Sequence, residues 1–579
     1  MKEISTPGSW QRAIASVLFA VPSVCLLVFL WTISYPFQRG WVLAVAGLIL
    51  ALPSVYFMAV WRHGFGWVFS RRARRFHGGV AAILISLLIL FYAEEGWRGR
   101  RVWAALQREA AARGESLEFD SLKTPEVPDG QNFAKAPGVA ELLNLSNRRP
   151  DGNPFYHGRE DRWPCASWAL QQYTDLAAWQ KFFRSHAENA IPEARRRDYV
   201  LSFPTAPEPQ APADDVLTAL GKFETNLATL RAAGERPVMR LPLDYEKGWF
   251  LMEDLANPME SLWRAVHLLS LRASAELAKG RGEAALQDVL LAMRLEELMR
   301  EGPIDHVQRH RRAMIQFCLQ PVWEGLAAHR WKDEQLAALQ KKLAEVDMIA
   351  CYHRGARGQT LAMMSSCDQA LAFVEGGSSE PGRRQVASQN DDRFWGWVAR
   401  MFYPVGWFYQ DKTLAFRFYQ PYADPWKAAE LRNQTPAQRW AVIRSFLADP
   451  MMGPEVLAVL RRTLEESSVG CLLLQTFLEQ ASTACALERF RLDQGRYPAS
   501  LDALLPHYLD RVPPDILAAA PAPLKYLRTP DAGFKLYSVG FNRVDDGGKP
   551  NQPADPRYNV LAQLSEGDSD LVWIQPGQP

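Results

Sequence analysis

The sequence predicts a mainly α-helical protein: three N-terminal transmembrane helices, a large helical extracytoplasmic region and a small α+β C-terminal domain. Three observations predict this class. Between Met1 and Glu94 stand three long uncharged apolar runs, Ala13–Ser34, Trp41–Trp61 and Gly78–Ala93. From Pro258 to Val346 apolar residues recur at helical spacing. From Tyr497 to Pro579 short strand-like stretches alternate with Gly, Pro and Asp.

The apolar runs come first in the chain. A helix crosses a bilayer core with roughly 20 apolar residues, and loops rich in Lys and Arg stay cytoplasmic. The loop between the second and third runs supplies Arg62, Arg71, Arg72, Arg74 and Arg75 and no acid. This pattern predicts a bacterial inner-membrane protein with its N-terminus in the cytoplasm and everything after about Trp97 in the periplasm. The third run decides the topology. It holds about 16 residues, the short edge of the spanning range; as a merely buried or interfacial segment it would leave the large region in the cytoplasm. The first run is longer than a signal-peptide core and no small-x-small cleavage site follows it, so it reads as an anchor. Cys25, preceded by the bulky Val24, reads as a buried residue of that helix.

Bulk composition narrows the partners. Lys and Arg number 66 against 64 Asp and Glu, a net charge of +2 without a polybasic tail, which gives nucleic-acid binding no support. Hydrophobic residues make up 48% of the chain, enough for real cores. Cys165, Cys318, Cys351, Cys367, Cys471 and Cys485 follow the anchor. In an oxidising compartment they could pair in about fifteen ways, the alternative being scattered buried thiols. No CxxC pair occurs, so neither a zinc ribbon nor a thioredoxin-like site is suggested.

Composition shifts divide the chain into a membrane anchor (1–97), a helical and irregular juxtamembrane region (98–214), a helical-hairpin domain (215–375), a polar loop and aromatic segment (376–424), and a long helix with an α+β domain (425–579). Trp103–Arg113 continues as a charged helix, and Lys123–Gly138 is irregular. The prolines of Phe203–Asp214 predict an extended or looped path, with helix resuming over Asp215–Ala232. Gly376–Asp392 reads as an exposed loop.

Val266, Leu269, Ala273 and Leu277 form one helix face, and Leu286, Val289, Leu290 and Met293 the face of the next. Gly280-Arg281-Gly282 breaks the two. With small Ala273, Ala275, Ala284 and Ala285 near the crossing, the pair resembles a single tetratricopeptide unit. No period near 34 residues repeats it, so hairpins in a bundle are expected. Leu336, Leu339, Leu343 and Val346 mark another amphipathic helix. The loose GxGxxA match at Gly280–Ala285 follows a helix rather than a strand and is a turn. His306 and His310 stand one helical turn apart, but Val307 occupies the place where a metalloprotease needs Glu. Arg309, Arg311 and Arg312 around them predict a solvated charged face. No Walker loop, GxSxG elbow or kinase signature occurs.

The stretch from Phe394 to Trp426 is rich in Phe, Trp and Tyr. It suits core or interface packing, a bilayer surface, or a ligand platform flanked by Asp411 and Asp424.

The most specific segment is C-terminal. A helix through Leu474, Phe477, Leu478, Ala481 and Cys485 runs into Gly495-Arg496-Tyr497-Pro498. After it come Pro523-Leu524-Lys525-Tyr526, Gly533-Phe534-Lys535-Leu536-Tyr537-Ser538-Val539-Gly540, Asp545-Asp546-Gly547-Gly548 and Asp568-Ser569-Asp570-Leu571-Val572-Trp573. This order resembles the globular head of major pseudopilins of type II secretion systems over about 90 residues. The resemblance implies a small sheet after the helix and a calcium-binding loop at Asp545, Asp546, Asp568 and Asp570, a donor set of the kind calcium takes. The turn-geometry alternative is a solvated Asp/Gly loop. The sequence Met1–Pro7 carries no prepilin-peptidase site, so the chain is not expected to polymerise as a pilin.

Together these readings predict a non-enzymatic scaffold or adaptor of a cell-envelope assembly, with the lipid bilayer and other envelope proteins as partners. The alternative is an envelope hydrolase acting on glycan or peptide.

Overall fold

The computed structural model describes residues 71–143, 155, 168–187, 202–374, 404–432, 454–550, 564 and 569–576. The runs Ala13–Ser34 and Trp41–Trp61, the Gly376–Asp392 loop, Cys25 and Cys165 lie outside them. The chain is mainly helical and carries a three-stranded antiparallel sheet near its C-terminus. It forms two compact units. The first draws on Met1–Glu118, Met363–Gln420 and Gln434–Arg462; the second draws on Phe119–Ala362, Pro421–Asn433 and Thr463–Pro579.

In the first unit, helix α1 (Arg71–Ala112) absorbs both the third apolar run and the charged helix expected at Trp103–Arg113. No helix among the described residues is long and apolar enough to cross a membrane. Yet Ile83, Ile85, Leu88, Ile89 and Leu90 are each more than half exposed, at 55–64%.

The second unit is built on helical hairpins. Helix α2 (Leu176–Ser185) is capped by Asp175, whose carboxylate accepts the Ala178 N–H at 2.8 Å. Helix α3 (Pro212–Leu220) begins three residues earlier than the prolines suggest, because Pro212 sits in its first turn, where no N–H is needed. Helix α4 (Glu224–Gly234) follows. Helices α5 (Leu251–Ala278) and α6 (Gly282–Leu298) are the expected hairpin. Val266, Leu269, Ala273 and Leu277 are buried, and Gly280 supplies the left-handed turn at φ +72°. Helix α7 (Asp305–Ala327) packs on both, making a bundle. Helix α8 (Asp333–Ala344) buries Leu336, Leu339 and Leu343. Helix α9 (Met348–Val374) carries the chain from the second unit back to the first.

Helix α10 (Val405–Tyr419), in the first unit, answers the aromatic question for the residues described. Trp407, Phe408, Phe416 and Phe418 are buried, so they are core, as apolar rings at this density favour. Helix α11 (Pro425–Arg432) is capped by Asp424, which accepts the Trp426 and Lys427 N–H groups at 2.9 and 3.3 Å. Trp426 itself is 36% exposed, and the rings from Phe394 to Tyr403 lie outside the described residues.

Helix α12 (Pro454–Gln494) ends at Gly495, φ +69°. Strands β1 (Lys525–Arg528), β2 (Phe534–Ser538) and β3 (Leu571–Gln575) then pair in that order, with Leu536 opposite both Tyr526 and Trp573. Buried Asp515 holds the end of β2, accepting the Ser538 hydroxyl at 2.6 Å and the Val539 N–H at 2.9 Å. The sheet is not a detached head. Trp323 of α7 donates to the Ile574 carbonyl at 3.2 Å, Gln480 of α12 to Leu571 at 2.8 Å, and Gln575 to Leu326 at 2.6 Å. Trp168 lies between Phe477 and Trp573, with ring centroids 4.6 and 5.7 Å away.

Candidate functional site

The loop after β2 brings three of the four predicted acids together; Asp568 lies outside the described residues. The Asp570 carboxylate, buried, accepts the N–H groups of Gly548 at 2.7 Å and Asp546 at 3.1 Å. Asp545 accepts the Gly547 N–H at 3.0 Å and the Tyr537 hydroxyl at 3.2 Å, with the Lys525 ammonium 3.5 Å away. Asp546 accepts from the Asn542 amide at 3.1 Å. Gly547 and Gly548 take positive φ, +73° and +72°, which lets their N–H groups turn inward. Burial raises the Asp570 carboxyl above the usual range; its two amide hydrogen bonds pull the other way, and the charges of Asp546 and Asp545 reinforce the rise. The Gly547 amide bond holds Asp545 below its ordinary value, helped by Tyr537 and Lys525. These acids close a turn on their own amide, hydroxyl and ammonium donors. Among the described residues no group of three or more His, Cys, Asp or Glu is placed to hold a metal ion, and Asp568, the fourth acid of the expected set, is not among those residues.

A second cluster sits where α12 leaves the bundle. Glu488, 1% exposed, accepts from Nδ1 of His329 at 2.7 Å, from the Tyr497 hydroxyl at 2.6 Å and from two Arg491 nitrogens at 2.8 and 2.7 Å. Burial alone would raise this carboxyl, but the Arg491, His329 and Tyr497 hydrogen bonds outweigh it and hold it low. His329 is the left-handed residue closing α7, at φ +51°. The cluster ties the hairpin bundle to the Gly-Arg-Tyr-Pro turn.

The third cluster corrects part of the expected solvated face on α7: Arg309 stays exposed, whereas Arg311 and Arg312 do not. Asp305, Arg311 and Arg312 are buried. Arg311 pairs with Glu296 of α6 at 2.7 Å, and Arg309 with Asp305 at 3.1 Å. Arg312 reaches Ser467 Oγ at 3.1 Å and Cys471 Sγ at 3.5 Å on α12. His306 and His310 stack edge to face at 4.8 Å, and Nδ1 of His310 meets the His306 carbonyl at 3.0 Å, which engages that nitrogen inside the helix. The face is half of a buried ionic seam. Its partners lie on α6 and α12, so spacing within α7 gave no signal of it.

A cavity of about 210 Å³ opens among Met239, Leu243, Met259, Leu262 and Met299. Of the acids lining it, Glu301 is held by Arg240 at 2.7 Å. Apolar side chains dominate its wall, with Lys123, Glu126, Arg240 and Glu301 beside them.

Comparison with protein-family models, with curated proteins and with solved structures finds no match.

Proposed function

We propose that this chain is a membrane-anchored, extracytoplasmic scaffold or adaptor of a bacterial cell-envelope assembly, without enzymatic activity of its own. The observation that carries the reading is the apolar girdle of α1. Ile83, Ile85, Leu88, Ile89 and Leu90 are all exposed, and at 100° per residue they spread over about 220° of the helix rather than along one narrow stripe. A helix apolar over so broad an arc belongs inside a large core or a bilayer. Arg71, Arg74 and Arg75 precede it and are exposed, the arrangement of a cytoplasmic flank. In this proposal the three apolar runs act together as the anchor, the third being marginal for a lone span.

The non-enzymatic part is supported by where the charges go. Glu296, Glu488, Asp215 and Asp305 each meet an arginine within the second unit. Such seams favour a rigid platform over a reactive cleft. Secretion or pilus systems enter only through the pseudopilin resemblance.

The test is a reporter fused just after Gly114, comparing an export-dependent enzyme with a cytoplasm-dependent fluorophore. Export-dependent activity is expected. Cytoplasmic fluorescence would overturn the extracytoplasmic placement. A deletion after Gly495 is a poor test of partner binding, because it strips Trp573 and Leu571 from the core. Introducing a charge at an exposed site, such as Leu527→Asp on β1, tests the sheet while sparing the fold.

A further inference from the structure

The cavity among Met259, Leu262 and Met299 lies wholly within the second unit and has a built wall. Helix α5, the end of α6 and the first turn of α7 supply its apolar side, where Leu255, Met259, Leu262, Leu298 and Val307 are buried. Two irregular straps, 123–126 and 239–243, bring the rest of the lining. The straps are tied to each other. Nε of Arg240 donates to the Pro125 carbonyl at 3.1 Å, and Asn132 accepts the Arg240 N–H at 2.9 Å while donating to the Arg240 carbonyl at 2.9 Å. Tyr245, also in the wall, is set against Phe119 with ring centroids 5.3 Å apart. These bonds hold the cavity open without help from an occupant, as ligand pockets usually are.

The polar groups around it differ in what they can still bind. Arg240 is fully engaged, by Pro125, by the Met239 carbonyl at 3.1 Å and by Glu301 at 2.7 Å. Glu301 is not. Its Oε2 is buried and accepts no hydrogen bond among the described residues, so the Arg240 contact is an ion pair without hydrogen-bond alignment. A buried carboxylate oxygen in that position calls for an N–H donor. On the strap, Lys123 and Glu126 are exposed, and neither forms an ion pair among the described residues.

We propose that this cavity binds a free amino acid with a large apolar side chain. The side chain enters among Met259, Leu262 and Met299. The α-ammonium donates to Glu301, with Glu126 adding negative charge at the rim, and the α-carboxylate pairs with Lys123. An apolar cavity of about 150 Å³ takes a benzene molecule, so about 210 Å³ suits leucine, methionine or phenylalanine. Met239, Met259 and Met299 all line it, and unbranched thioethers adapt to more than one side-chain shape. A fatty acid would set a second carboxylate beside Glu301 and Glu126 and leave the Glu301 oxygen without a donor. A plain amine would leave Lys123 without a partner. The zwitterion satisfies both ends. This site adds a small-molecule ligand to the scaffold reading and holds on either side of a membrane.

The experiment is calorimetric titration of the full chain in mild detergent with L-phenylalanine, phenethylamine and 3-phenylpropanoate, followed by L-leucine and L-methionine. Phenylalanine is expected to bind, and each single-charge analogue to bind about tenfold to a hundredfold more weakly. Lys123→Gln, at an exposed site, should weaken phenylalanine to about the level of phenethylamine and leave phenethylamine unchanged. Glu301→Gln should weaken phenylalanine and phenethylamine and spare 3-phenylpropanoate. Absence of binding by all three amino acids overturns the proposal. So does an analogue that binds as tightly as phenylalanine, or phenylalanine affinity that both substitutions leave intact.

Discussion

Gly99 of α1 and Gly406 of α10 meet backbone to backbone. A Cβ on Gly99 would lie 2.0 Å from the Gly406 carbonyl oxygen, and one on Gly406 only 1.9 Å from that of Glu95. Because the helices approach so closely, buried Glu95 can take the Trp407 indole N–H at 3.0 Å and the Gln410 amide at 3.1 Å, while Arg98 pairs with it at 2.7 Å. Gly406→Ala gains helix propensity of about 1 kcal/mol. It also forces backbone apart, and overpacking of that kind costs about 1–3 kcal/mol even where side chains can yield. A net loss of up to about 2 kcal/mol in denaturant unfolding of the first unit is expected. Gly79→Ala, with nothing within 4 Å of the new methyl, should be neutral or slightly stabilising; equal effects at the two sites would refute the close crossing.

Glu488 is the hinge pin of the second unit. Removing the Tyr497 hydroxyl takes one hydrogen bond from a buried carboxylate, a loss of about 1.5–3 kcal/mol. Glu488→Ala strands Arg491, His329 and Tyr497 together and should cost about 3–5 kcal/mol. The double variant is expected to cost little more than Glu488→Ala, because the hydroxyl's partner is already gone. Additive losses in equilibrium unfolding would show that Tyr497 acts through packing instead.

Local order in this fold was legible wherever a pattern repeats within a few residues. The faces Val266–Leu277 and Leu336–Leu343, the breaks at Gly280 and Gly495, and strand Phe534–Ser538 all follow from spacing and glycine backbone freedom. The aromatic stretch left three readings open, because ring content alone does not say which side faces water. The charged stretch of α7 was misread for a related reason. Arg311 and Arg312 look solvated until Glu296 and Cys471 arrive from α6 and α12. Likewise His329 and Glu488 are 159 residues apart, and no periodicity carries that information.

His306 gives the α7 seam a pH signature. Burial, then the charges of His310 and Arg309, lower its imidazole to about 4, against about 6.5 in an unfolded chain. Between those values the unfolded chain binds a proton that the folded chain refuses, so stability falls as pH drops from about 6.5 towards 4. Unscreened, the shift would be worth about 3 kcal/mol; for a partly exposed ring about 1 kcal/mol is the expected size. Asp288 opposes it. Burial raises that carboxyl to about 6 despite Arg272 and Arg231, so its contribution is present at low pH and is lost as pH rises through that value. On account of these two groups, wild-type stability should therefore change less between pH 6.5 and 4.5 than either group alone would impose. His306→Gln should expose the Asp288 slope, becoming relatively more stable on acidification. Parallel unfolding curves for wild type and variant across that range would contradict the assignment.

Calcium tests the Asp545 loop directly. The resemblance implies a cation held by Asp545, Asp546, Asp568 and Asp570, and calcium takes six to eight oxygens at 2.3–2.6 Å. In this loop Asp570 already holds two amide N–H groups, and Lys525 stands against Asp545. An ion would have to displace that ammonium and reorient carboxylates that now fix the turn. A site with a dissociation constant near 1 mM would add only about 0.4 kcal/mol at 1 mM calcium. The thermal midpoint is accordingly expected to differ by less than about 1 °C between 1 mM calcium and excess chelator. Asp570→Asn, which keeps one acceptor oxygen but loses charge, should weaken the Gly548 and Asp546 bonds and lower the midpoint equally in both buffers. A calcium-dependent rise of about 5 °C or more, abolished by that substitution, would show that the loop rearranges around an ion and would make it a metal site after all.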